Sequence, residues 1–199
     1  LHLSIRRQRQ MCIRDSSRHL LSLAHESCQT LDTFTCIRTR REIRDYQDKA
    51  IPDKSLLRIL EAGRLAPSSK NSQPWHFIVI KNKESLKQIS ELTPTGAHIL
   101  SAPLAIAVLM DGAKLPEVDG ARAIQSMILA AWDIGIGACW VTNFYDDAVK
   151  ELLGVPPRMK LVSVVPFGYP VEPRTRRKKI RKLLDEIVHY ERFGQHKPA

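Results

Sequence analysis

The chain has 199 residues, with 31 Lys and Arg against 21 Asp and Glu for a formal net charge of +10, and it is 43% hydrophobic and 26% charged. Those values predict one medium-sized globular domain with enough apolar material for a core, and they exclude collagen-like, coiled-coil and wholly disordered chains. The longest apolar stretch, Ala102 to Met110, is interrupted by Pro103 and falls far short of the roughly 20 residues of a membrane-spanning helix, so a soluble protein with no membrane partner is expected.

Residues 1 to 36 carry no sustained helical or strand period and mix Arg6, Arg7, Arg9, Arg14 and Arg18 with polar residues. They are expected to be a basic extension, disordered or non-native, outside a folded domain over residues 37 to 199. The apolar segment Leu20 to Ala24 is broken by Ser22 and is too short for a secretory signal. Cys12, Cys28, Cys36 and Cys139 form no CxxC pair, and His25 with Cys28 lacks a second ligand pair. A reducing, cytoplasmic setting and no bound metal are therefore expected.

From Ile37 the pattern changes. Leu56, Leu57, Leu60 and Leu65 recur at helical spacing and predict a helix from near Asp53 that stops before Pro67. Trp75 to Ile80 is aromatic and β-branched and predicts a strand. Within that strand, His76 is expected to be a packed core residue rather than a proton donor. Glu84 to Leu92 predicts a short helix, and Ala102 to Met110 a strand covered on both faces. Asp119 is expected to cap a long helix with Ala123, Ile124, Met127, Ile128, Ala131 and Ile134 on its apolar face, ended by Gly135 and Gly137. Ala138 to Val141 predicts a strand, Asp147 to Leu153 a helix and Leu161 to Phe167 a further strand. This alternation gives an α+β domain with a central sheet of four or five strands flanked by helices. The end of the chain runs basic and then turns amphipathic with Leu183, Leu184, Ile187 and Val188. Residues 170 to 199 hold nine Lys and Arg against four Asp and Glu.

Motifs for ATP hydrolysis, serine hydrolysis, zinc proteolysis and Rossmann dinucleotide binding are absent from the sequence. Three segments carry chemistry instead. Arg38 to Arg44 places four arginines in seven residues, a set that repels itself unless anions or carboxylates answer it, although a solvated face would look the same. Ala66 to Trp75 is a loop of small hydrogen-bonding residues between a helix and a strand; it is either a simple turn or a surface of amides and hydroxyls for a polar ring. Arg174 to Lys182 is either a basic tail in water or an anion-binding arm.

Five pieces of the chain, RREIR (Arg40 to Arg44), APSSKNSQPWHFIVI (Ala66 to Ile80), DGARAIQSMILAAWDIGIGACWV (Asp119 to Val141), PFGYP (Pro166 to Pro170) and KIRKLLDEIVHYERFG (Lys179 to Gly194), resemble the FMN-dependent nitroreductase family. The resemblance covers about four fifths of the chain, in family order. It implies a nitroreductase-like α+β fold and a homodimer with FMN at the subunit interface, the C-terminal arm wrapping over the partner. It further implies that Arg40, Arg41, Lys179 and Arg181 hold the FMN phosphate and that Pro67, Ser68, Ser69 and Asn71 line the isoalloxazine ring. Arg44 would then lie beside its pyrimidine edge, with Val141 and Thr142 near N5. Glu42 stands in the phosphate corner where the family usually has serine, either as part of the cofactor site or in a salt bridge with Arg40 or Arg41.

The activity implied is hydride transfer from NADH or NADPH to a flat acceptor such as a nitroaromatic or quinone, by a ping-pong mechanism, with no catalytic side chain required. Reductive dehalogenation and oxygen-dependent FMN fragmentation are alternatives on the same fold. A basic nucleic-acid-binding module is a further alternative, but it lacks aromatic interleaving and any nucleic-acid motif.

Overall fold

The computed structural model describes residues 31–172 and 180–196. Helix α1 spans Thr33–Thr39 and α2 spans Asp53–Arg64; strand β1 is Trp75–Ile80, α3 is Lys83–Glu91 and β2 is Leu104–Met110. Helix α4 is Pro116–Asp133, β3 is Gly137–Ala138, α5 is Asp146–Leu152 and β4 is Lys160–Gly168. Short 3-10 turns at Ser69–Asn71 and Ala97–Ile99 complete the set. The four strands form one antiparallel sheet in the order β1-β2-β4-β3.

Strand β2 organises the core because every residue in it is buried. Successive side chains of a strand point to opposite faces, so the run LAIAVLM needs a cover on each side. Leu104, Ile106, Val108 and Met110 join one apolar cluster with Leu56 and Ile59 of α2 and Ala123, Ile124, Met127 and Ile128 of α4. Ala105, Ala107 and Leu109 join a second cluster with Leu86 and Ile89 of α3 and Val149 of α5. The sheet is thus sandwiched between two helical layers, and the α+β reading of the sequence holds.

Helix boundaries follow local chemistry. The Asn82 side chain accepts from the Ser85 N–H and caps α3. Helix α4 starts earlier than the sequence suggests: Pro116 occupies its first turn, where a missing N–H costs nothing, and Asp119 lies inside the helix rather than capping it. At the other end Gly135 adopts φ +90° and the Ile136 N–H donates to the Ala131 carbonyl at 2.9 Å, a stop that requires a left-handed residue. Gly120 brings α4 onto β4, since a Cβ there would lie 2.8 Å from Cγ1 of Val162.

Two expectations change. Residues 31–36 are not outside the fold. Asp32 caps α1, whose seven residues cross the expected boundary at residue 37, and Cys36 is buried. Trp132 Nε1 donates to Thr39 Oγ1 at 2.9 Å, and the Leu31 N–H donates to Asp133 Oδ1 at 2.7 Å, which ties α1 to the end of α4. His76 is exposed on β1, an edge strand, and is not a packed core residue. Over residues 180–196 the amphipathic pattern produces turns rather than a helix, and Ile180 and Phe193 are each 93% exposed. Cys12, Cys28 and the segment holding Lys179 lie outside the described residues.

The double cover of β2 predicts that Ile106→Ala, which empties a fully buried site on the α4 side, destabilises the fold by about 2 to 5 kcal/mol. A urea titration followed by circular dichroism measures it.

Candidate functional site

The arginine segment lies along the free edge of β3. Glu42 forms a parallel bridge with Ala138, and the Ile43 N–H donates to the Ala138 carbonyl at 3.0 Å. Two glycines set this approach. A Cβ on Gly137 would sit 2.4 Å from Cγ1 of Ile43, and one on Gly168 would sit 2.6 Å from Cδ1 of Tyr46. The buried Tyr46 hydroxyl donates to the Ile43 carbonyl at 2.6 Å, pinning the middle of the segment. Burial, then the nearby Cys139 and Glu42, push its phenol well above the ordinary tyrosine value.

The charged side chains are arranged around this edge. Glu42 pairs with Arg40 through one carboxylate oxygen, and its other oxygen accepts from the Trp140 N–H at 3.0 Å. Of the two partners the sequence leaves open for Glu42, it takes Arg40. Arg41 Nε and Trp140 Nε1 are buried and have no hydrogen-bond partner among the described residues. Buried donors are normally satisfied, so this edge is prepared for an acceptor that the described residues do not supply. Arg44 is exposed. Burial raises the Cys139 thiol, Glu42 adding to the effect and Arg44 opposing it, so the thiol stays protonated and unreactive. Burial, then the Arg44 charge, holds His98 below the ordinary histidine range.

Val141 is buried and Thr142 exposed just past β3. The pairing of β2 with β4 slips between Val108 and Leu109, and on β4 the buried Ser163 hydroxyl donates to the Val141 carbonyl at 2.6 Å. Sequence reasoning missed Ser163 because it reads as one strand position among valines. The structure therefore places Arg40, Arg41, Glu42 and Arg44 along the edge of β3, with Glu42 reaching Ala138 and the Trp140 N–H just before Val141 and Thr142.

The second group is held elsewhere. Pro67 and Asn71 are exposed, and Ser68 and Ser69 are half-buried. Lys70, Asn71 and Gln73 take φ of +54°, +55° and +48°, a left-handed run that non-glycine residues adopt at a cost. Side chains compensate: Ser68 Oγ accepts from the Gln73 N–H at 2.9 Å, and Asp119 Oδ1 accepts from the Ser69 N–H at 3.1 Å and from its hydroxyl at 3.3 Å. Asp119 is fully buried and also pairs with Arg122 at 3.3 Å. Its real work is thus to hold this loop, which only the i,i+50 contact reveals.

These groups sit at opposite ends of α4. The loop is bound at Asp119, whereas the arginine edge adjoins Gly137 and Ala138, beyond Trp132. At 1.5 Å per residue, Asp119 and Trp132 are on the order of 20 Å apart. Arg181 is exposed, with its guanidinium donating to the Ile180 carbonyl at 3.0 Å, and it joins neither group.

The fold and this edge define an antiparallel α/β sandwich with a cationic strip and a strained serine loop. The model of the nitroreductase family matches residues 37–111 and 97–169. A protein of Methanothermobacter thermautotrophicus named as an NADH dehydrogenase/NAD(P)H nitroreductase is 37% identical over 192 residues, covering 89% of this chain and 97% of that protein. A similarly named protein of Archaeoglobus fulgidus is 36% identical, covering 79% of this chain and 96% of its own length. Among solved structures, an FMN-dependent nitroreductase from Clostridium difficile superposes with a TM-score of 0.74 at 30% identity, covering 80% of this chain and 99% of that one. The chain belongs to the nitroreductase family.

Two outcomes test this geometry. Gly137→Ala drives a methyl group into Ile43 and is expected to lower stability by about 1 to 3 kcal/mol, measured by urea denaturation. Because the folded Tyr46 phenol titrates above its unfolded value, the protein binds a proton there that the unfolded chain has lost. The contribution is complete below about pH 10 and declines as pH rises through the folded value. Melting temperatures recorded between pH 8 and 11 should fall less steeply in Tyr46→Phe than in the parent.

Proposed function

We propose that the chain is an FMN-dependent oxidoreductase that takes electrons from NADH or NADPH and passes them to a flat acceptor such as a nitroaromatic or a quinone, in the reducing cytoplasm. The observation that carries the reading is the pair of buried donors without a partner among the described residues, Arg41 Nε and Trp140 Nε1, on an edge that already holds Arg40 and Arg44. When bound, FMN supplies the redox chemistry by accepting hydride at N5 from the nicotinamide and returning it to the acceptor.

The side chains of this protein bind and orient. Arg40 and Arg41 are the phosphate ligands on the β3 edge, with Lys179 and Arg181 assigned to the same role on the C-terminal segment. Arg44 is placed to offset negative charge on the pyrimidine edge. Val141, its carbonyl held by Ser163, and Thr142 present backbone on the N5 side. Pro67, Ser68, Ser69 and Asn71 line the ring. Donor and acceptor would use one position in turn, which gives ping-pong kinetics.

The separation of the two residue groups along α4 favours a site made by two chains, with the arginine edge of one protomer facing the serine loop of its partner. The exposed Ile180, Leu183, Leu184 and Phe193 supply apolar surface for the same association.

Purified protein should be yellow, and NADH or NADPH should bleach the flavin spectrum. Arg40→Ala is expected to weaken FMN about 10- to 150-fold while leaving riboflavin, which has no phosphate, almost unchanged. Equal losses for both flavins would mean that Arg40 acts through folding. For the two-chain site, Arg40→Ala and Asn71→Ala proteins are unfolded together and reassembled. A twofold-symmetric dimer regains about a quarter of the parental sites in the mixture, because each mixed dimer holds one intact site. No regain would place both groups in one chain's site.

A further inference from the structure

We propose that Glu42 is a specificity-determining residue that competes with the cofactor phosphate for Arg40 and so reduces the preference of this protein for FMN over unphosphorylated riboflavin. The inference rests on the flavin reading above and deepens it. Glu42 stands between two groups of the edge, pairing with Arg40 on one side and accepting from the Trp140 N–H on the other at 3.0 Å. Its backbone is locked in register by the bridge to Ala138. Gly137 packs against Ile43, the residue that follows. The carboxylate therefore cannot leave the corner by a shift of the chain; only its side chain can turn.

Arg40 and Glu42 side chains are 21% and 39% exposed, so they meet at the mouth of the edge and not in a dry interior. A guanidinium fork that engages a carboxylate has fewer donors for a phosphate, and a fixed negative charge beside a dianion repels it. Both effects act on the phosphorylated flavin alone. The oxidised isoalloxazine ring and the ribityl chain carry no charge for Glu42 to oppose. Arg41, whose Nε has no partner among the described residues, is left as the cation with free capacity, so the phosphate corner works with one engaged and one available arginine.

The test is Glu42→Gln, which keeps the side-chain length and an acceptor for the Trp140 N–H while removing the charge. Dissociation constants for FMN and riboflavin are measured by flavin fluorescence quenching on parent and variant. A parallel series records the rise in melting temperature with added inorganic phosphate. The FMN affinity of the variant should increase about three- to tenfold, with riboflavin affinity unchanged, as expected for a partly exposed charge. The shift produced by phosphate should also be larger. An unchanged ratio of FMN to riboflavin affinity, or a parallel loss for both flavins, would overturn the proposal. If neither protein takes up either flavin, the flavin reading fails, and the phosphate series alone decides whether Glu42 opposes an anion at Arg40.

Discussion

Helix α4 must lie close against the sheet, and that approach fixes the positions of the other parts. A glycine at 120 lets the helix backbone reach Val162. From there Ala123, Ile124, Met127, Ile128 and Ala131 cover the face of β2 formed by Leu104, Ile106, Val108 and Met110, each fully or almost fully buried. Once α4 is seated, its first turn presents Asp119 to the serine loop and its last turn presents Trp132 to α1. The helix thereby acts as a ruler: it sets the spacing between two groups of candidate site residues that no local feature connects.

Burying Asp119 would be costly if it stood alone, because a carboxylate removed from water loses its hydration. Two donors from Ser69 and the Arg122 guanidinium offset that cost at Oδ1, while Oδ2 has no partner among the described residues. The compensation is also structural. A loop whose backbone holds three non-glycine residues at positive φ would relax if its first turn were free. Tying Ser69 to a buried, immobile acceptor is what allows Lys70 and Asn71 to remain left-handed. The polar group that looks out of place in the core is the one that shapes the surface above it.

Much of the fold was legible in local pattern. The bounds of β1 coincide with the aromatic and β-branched run, and the double burial of β2 follows from an apolar run without alternation. The resemblance of five segments placed the family. What stayed hidden were pairings between distant residues. Asp119 looks like a helix cap because its type and its position before an apolar run are those of a cap; only the fold shows Ser69 beside it, fifty positions away. Ser163 reads as a strand residue until the slip in β4 turns it toward Val141. Gly137 reads as a helix stop signal, whereas it and Gly168 admit Ile43 and Tyr46. The boundary at residue 37 failed for a similar reason. Helix α1 has little periodicity of its own, and its hold on the fold comes from Asp133 and Trp132.

The charge of the chain takes its meaning from this arrangement. A net charge of +10 disfavours compaction unless the cations are spread out or answered by anions. Asp133 answers Arg58, Asp111 answers Arg158 and Glu61 answers Arg64. At the β3 edge the cations are crowded instead, with Arg40, Arg41 and Arg44 inside five positions and Glu42 as the acid paired with Arg40. Repulsion there is unfavourable for folding and favourable for capture of an anion, since whatever relieves it is bound more tightly. The same logic explains why Tyr46 and two glycines fasten this segment so firmly. Self-repelling side chains on a loose strand would move apart, and a backbone held at both the sheet edge and the Ile43 carbonyl keeps them on one edge.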